Sequence, residues 1–201
     1  MTTIEVDTEL ESSLAKRLRA ATNATHERLD KSIMDAEPFA SRERYGLFVQ
    51  VQYLFHREID ALYEDAVLDR LLPDLKGRRR LGLIVQDLHD LGVAVPVADT
   101  PPAFAAGVDT DIPAALGWLY VAEGSNLGAA FLLKEAAKLG LNDGFGARHL
   151  ASAPEGRGLH WKTFTAALDS VSLSDAEDER TIAGARTAFA RVQDLVRTVF
   201  V

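Results

Sequence analysis

The chain contains no cysteine, and only two methionines and two tryptophans in 201 residues. Without thiols there is no disulfide framework, no Cys-ligated zinc or iron–sulfur centre and no thiolate nucleophile. Such a composition fits a reducing compartment. Basic residues are also outnumbered: 22 Lys and Arg against 30 Asp and Glu leave a net charge of −8. Non-specific nucleic-acid binding runs on a basic surface, so nucleic acid is not an expected partner. No apolar run approaches the ~20 residues that span a bilayer, and the opening Met1-Thr2-Thr3-Ile4 stretch leads into no signal-peptide apolar region. The expectation is a soluble, cytoplasmic protein with no membrane role.

What is present is a core-forming composition, 47% apolar and 26% charged. Its pattern is helical nearly throughout. Apolar or small residues at Leu10, Leu14, Leu18, Ala21, Thr22, Leu29 and Ile33 recur at helix spacing. The spacing predicts a first helix over 10–34, with Asp7 or Thr8 as its cap. A second stripe runs from Tyr45 through Phe48, Val49, Gln52, Phe55, His56 and Ile59 to Tyr63. Further helices are predicted at 79–91, 112–139 and 159–171. The last begins at Ser174-Asp175-Ala176-Glu177, a capping box. Residues 93–113 carry Pro96, Pro101, Pro102 and Pro113 and read as a surface loop. No strand, hairpin or internal repeat is evident. The expected fold is all-α, with residues 1–201 forming one domain.

Several chemistries are excluded by what the helices lack. There is no Gly-x-Ser-x-Gly elbow and no Glu-x-x-His pair, which argues against a serine hydrolase and a ferritin-like di-iron bundle. Arg148, His149, Arg157 and His160 sit in Gly-containing segments but follow no strand and no phosphate-loop motif. The run Arg78-Arg79-Arg80 reads chiefly as solvated surface.

Three features invite chemistry, each with a plainer alternative. His26 lies on or near the apolar face of the first helix. It is either a hydrogen-bonded core histidine or an iron ligand projecting into an apolar cleft. Gly117, Gly124 and Gly128 interrupt the helical run from 117 to 130, each at a cost of roughly 1 kcal/mol relative to alanine. Gly124 and Gly128 share one face. They serve either close helix packing or the approach of a flat ligand to the helix axis. Gln52 and His56, four apart on an apolar face, need polar partners or ordered water.

These residues, together with Ala24-Thr25-His26, Phe55-His56, the segment Gly117-Trp118-Leu119-Tyr120 through Gly124-Ser125-Asn126-Leu127-Gly128-Ala129-Ala130, and Gly146-Ala147-Arg148-His149-Leu150, resemble the soluble bacterial haem oxygenases over nearly the whole chain. The resemblance implies haem as both cofactor and substrate, sandwiched between a proximal helix and a kinked distal helix. His26 becomes the proximal iron ligand. Gly124, Ser125, Asn126 and Gly128 form the distal backbone beside the oxygen site, and Gln52 and His56 belong to a distal water network. Arg19 and Tyr120 match a propionate-anchoring pair, with Arg19 standing where lysine is usual, and Arg186 joins them more weakly. Ser125 stands where mammalian-type members carry an aspartate, which shifts proton delivery toward water and backbone. By family chemistry, ferric hydroperoxide attacks a porphyrin meso carbon to give biliverdin, carbon monoxide and ferrous iron, here at the α position. Partners implied are haem, O2 and an external electron donor of the ferredoxin or flavoprotein reductase type, and a monomer suffices. A haem carrier that leaves the ring intact and a plain helical interaction module are the competing readings. A related thiamin-degrading class needs a cysteine that this chain lacks.

Overall fold

The computed structural model describes residues 13–200. Seven α-helices frame it, and no strand occurs among the described residues. The all-α expectation therefore holds. Helix α1 (Leu14–Asp35) starts at Ser13, whose side chain accepts from the Lys16 amide. The caps expected at Asp7 and Thr8 lie outside the described residues. Its inner face is Leu14, Leu18, Thr22 and Leu29, the 3.6-residue spacing read from the sequence.

Helix α2 (Arg42–Ile59) is capped by Ser41. The stripe through Tyr63 suggests one continuous helix, but the α-helix ends at Ile59. It tightens into a 3₁₀ turn (Asp60–Glu64) and restarts as α3 (Ala66–Leu71). The cause is Asp65, whose carboxylate accepts from the amides of Val67 and Leu68 and resets the chain as an N-cap. Leu62 and Tyr63 remain buried through the change. Helix α4 (Leu81–Asp90) is shorter than predicted because Arg79 is extended. Gly92 follows with φ of +66°, as its place after the helix requires.

Helix α5 (Ile112–Lys138) runs unbroken through all three of its glycines. Helix α6 (Arg157–Asp169) begins two residues before the predicted start, directly after its cap Gly156, whose φ of +89° favours glycine. Helix α7 (Asp175–Val199) carries the predicted capping box. Helices α5 and α7 pack at the centre. A Cβ on Gly117 would lie 2.1 Å from the Thr181 carbonyl oxygen, and one on Gly184 would lie 2.4 Å from that of Ala114. Close helix packing, weighed for the glycines of this segment, is thus the work of Gly117 and Gly184.

The proline-rich segment is fastened to α2. Glu58 is buried, pairs with Arg191 at 2.6 Å and accepts from the Ala103 amide, while the Phe104 amide donates to its carbonyl. Arg57 donates to the Thr100 carbonyl. Within the basic run Arg79 is exposed as expected, but its neighbours are not. Arg78 is buried and pairs with the equally buried Glu123 at 2.9 Å. Among the described residues, no helix is long and apolar enough to cross a membrane.

Candidate functional site

Helices α1 and α5 bound a cavity of about 730 Å³, closed further by α2, α6 and α7. That is ample for a ligand of several hundred daltons. On the α1 side stands His26. It is not a core histidine: its side chain is about half exposed, and its ring meets Phe189 edge to face at 5.8 Å. Its Nδ1 lies 3.1 Å from the Asp30 carboxylate one turn on. A carboxylate on one imidazole nitrogen fixes the ring and directs the other nitrogen outward as a metal donor. Burial raises the Asp30 pKa, and the His26 charge opposes that rise.

The α5 wall is built from missing side chains. A Cβ on Gly128 would meet nothing within 4 Å, and one on Gly124 would meet only the Trp161 ring, at 3.5 Å. Neither glycine is required by a close helix approach, since the Gly124 contact with Trp161 of α6 is ordinary van der Waals distance, so close packing does not explain the pair. Both border the cavity and leave α5 backbone facing it. Ser125 also lines the cavity, with its hydroxyl turned back to donate to the Ala122 carbonyl at 2.6 Å. Asn126 is buried with no hydrogen-bond partner on Nδ2, while its carbonyl accepts from Arg157 at 3.0 Å.

Gln52 and His56 reach the same cavity from α2. His56 is buried and its Nδ1 has no protein partner. Burial, with the nearby Arg80 and His149 charges, pushes its pKa down to about 3. Two residues absent from the predicted site join it here, Arg80 and His149. His149 is held by its Nδ1 at 2.8 Å from Asp87, which leaves Nε2 unpartnered in the protein. Burial lowers its pKa against the opposing pull of Asp87. Arg80 donates to the His149 carbonyl and keeps Nε unpartnered. Both imidazoles are therefore neutral near pH 7. His56, His149, Arg80 and Asn126, each with a buried polar atom unpartnered among the described residues, line one cavity. Buried groups of this kind are satisfied by ordered water or ligand.

At another edge lie Arg19 and Tyr120. Burial raises the Tyr120 pKa, and the neighbouring Arg19 charge opposes that rise, so a cation and a phenol stand near one another at this edge. Arg186 is not: it is exposed on α7, donates to the Ala21 carbonyl at 3.4 Å and does not line the cavity. Met34, Leu127 and Phe131 are exposed large apolar residues that also line the cavity. The arrangement offers one outward-facing imidazole, apolar rims for a flat ring, a cation and phenol for anionic groups, and a neutral polar wall ready to order water.

The comparisons agree with that inventory. The Heme oxygenase family model matches residues 12–198. The heme oxygenase PigA of Pseudomonas aeruginosa is 42% identical over 200 residues, covering all of both chains. A heme oxygenase of Neisseria meningitidis, solved with NO and CO bound, is 42% identical with a TM-score of 0.87, over 94% of this chain and 92% of that one. The heme oxygenase of Leptospira interrogans shares the fold at 19% identity, with a TM-score of 0.73 over 92% of this chain and 99% of that one. With a model match over nearly its whole length and a full-length relative at this identity, the chain belongs to the haem oxygenase family.

Proposed function

We propose that this chain binds haem in the α1–α5 cavity and opens the ring at the α-meso carbon, giving biliverdin IXα, carbon monoxide and ferrous iron. The observation that carries the reading is one cavity with an Asp30-oriented imidazole on α1 and side-chain-free backbone at Gly124 and Gly128 on α5. His26 Nε2 is the donor left for iron. Arg19 and Tyr120 are suited to the propionates, one as a charged and one as a neutral hydrogen-bond donor. Bound haem supplies both the iron that activates O2 and the carbon that is attacked.

The protein's part is orientation and proton management. The cation–phenol pair fixes how the ring is turned in its plane, and so which meso carbon faces the polar wall. At Gly124 and Gly128, a side chain would occupy the space needed above the ring. Neutral His56 and His149 carry no imidazolium proton to release near pH 7, and each keeps one ring nitrogen free to pair with water. Protons therefore travel through water ordered by these rings, Gln52, Asn126 and the Arg80 guanidinium. Among the described residues the wall opposite His26 contributes no carboxylic acid, so bound haem would meet ordered water there rather than a strong proton donor, which favours oxidation of its own ring. Ser125 contributes through its backbone, since its hydroxyl is committed to Ala122. Electrons come from a separate donor of the ferredoxin or flavoprotein reductase type, in the cytoplasm, to a monomeric enzyme.

The test is an optical titration of the purified protein with hemin, followed by reductant and air on the same sample. A saturable histidine-type Soret band at one haem per chain, lost as biliverdin appears and resolved by chromatography as the IXα isomer, is the expected result. A band that persists under a competent reductase makes the protein a haem carrier. No saturable band removes the reading altogether.

A further inference from the structure

Behind α5 lies a charged cluster that the proposed reaction does not use. Glu123 directly precedes Gly124 and is buried. Arg78 donates to its carboxylate at 2.9 Å and to the His160 carbonyl at 3.2 Å. The His160 ring is gripped from both sides, Nδ1 at 2.7 Å from Glu155 and Nε2 at 3.6 Å from Glu123. The next residue is Trp161. Its ring stacks on Phe164 at 5.7 Å, and Phe164 in turn lies under the Arg78 guanidinium at 5.6 Å. Arg78 thus holds both the backbone before Trp161 and the ring beneath it. Trp161 also meets Tyr120 at 5.5 Å, and among the described residues outside α5 it is what a Cβ placed on Gly124 would meet, at 3.5 Å.

We propose that Trp161 is a specificity-determining residue of the ring-opening reaction, and that His160, Glu123 and Arg78 are the positioning residues that hold it between Tyr120 and Gly124. The inference rests on the proposed haem oxygenase activity. Trp161 lines the cavity where a propionate-side anchor and the distal backbone come within reach of one ring. A rigid indole there blocks one direction of in-plane rotation, and Tyr120 cannot swing toward Gly124 while it is in place. An indole is well suited to this because two torsions fix a large surface.

The lock is built from charges, so it responds to pH. The His160 proton is stabilised by the Glu123 carboxylate, with burial opposing and Glu155 adding, so its pKa is raised above 6.5. The groups facing it are Glu155 from the preceding loop, Glu123 from α5 and Arg78 from a short 3₁₀ turn (Lys76–Arg78) before α4, with Tyr63 and Arg80 behind Glu123. Asp74 and Arg148 border the small outer pocket on whose wall His160 sits. As pH rises through the raised pKa, the His160 charge is lost and its hold on Glu123 weakens.

Two readouts test this, one of them without haem. In W161A, the ratio of minor to major biliverdin isomer should rise roughly tenfold, while W161F keeps most of the wild-type distribution. H160Q should shift the ratio in the same direction by less. In the apoprotein of a W118F background, Trp161 emission should titrate above pH 6.5, and H160Q should abolish that titration. W161L replaces W161A if the alanine variant does not fold. An unchanged isomer ratio in W161A, or in W161L where that replaces it, overturns the specificity role, and an emission titration identical in H160Q overturns the lock. If wild-type protein binds haem but yields no biliverdin, the proposed function fails with this role, and the emission experiment still decides the lock.

Discussion

At the residue scale, the site turns on His26 and what stands behind it. His26→Ala should remove the histidine-type Soret spectrum of the haem complex, and a spectrum that persists would assign the ligand to another histidine. Asp30→Asn should weaken haem affinity roughly tenfold, because a carboxylate paired with the proposed iron ligand would raise its basicity and fix its tautomer. This is read by the same titration, and an unchanged affinity would mean that the 3.1 Å contact does not survive ligation. The polar wall was only half legible in the sequence. Gln52 and His56 announced themselves as polar residues on an apolar stripe. Arg80 did not, because its neighbours in a basic run suggested solvent. His149 was visible as part of a motif, but its partner Asp87 lies 62 positions away and no local pattern links them.

At the element scale, α5 carries glycines with opposite reasons for being there. Gly117→Ala should destabilise the protein severely, because its Cβ would lie 2.1 Å from a backbone oxygen on α7 that cannot move alone. Gly128→Ala meets nothing, so it should stabilise the apoprotein by about 0.5–1 kcal/mol through helix propensity. The same change should slow biliverdin formation roughly tenfold or more, since a methyl group enters the space beside the reacting ring. Chemical denaturation and turnover measured on both variants check the pair. Equal stability losses would return Gly128 to a packing role. The sequence showed that each glycine in this helix has a cost. It could not divide them, because the division depends on α7, which crosses α5 from more than sixty residues downstream. Helix existence was legible from spacing, and the capping box from four letters. The end of α2 was not, because its apolar stripe continues while the backbone tightens and Asp65 restarts it.

For the whole molecule, the neutral buried histidines set the acid limb of stability. The folded pKa of His56 is about 3, against 6.5 for an unperturbed imidazole. Between those values the unfolded chain binds the proton that the folded chain refuses, so stability falls as pH drops below 6.5. The slope from this one group approaches about 1.4 kcal/mol per pH unit. His149, also lowered, acts in the same direction. His160 has the opposite sign: its contribution is full below 6.5 and is lost as pH rises through its raised pKa. Urea midpoints from pH 7 to pH 4 should therefore decline, and His56→Gln should flatten the decline. A parallel decline in that variant would place the sensitive group elsewhere.

The cavity's apolar rim has a consequence for the lifetime of the protein. Met34, Leu127 and Phe131 are 44%, 45% and 52% exposed, and a bound macrocycle would cover them. A ligand present at 100 times its dissociation constant adds about 2.7 kcal/mol to the folded state. Each completed turnover removes that ligand and returns a stickier, less stable chain to the cell. The enzyme's stability would then follow the supply of the molecule it consumes, because loss of haem returns this rim to water and removes the binding contribution to the folded state.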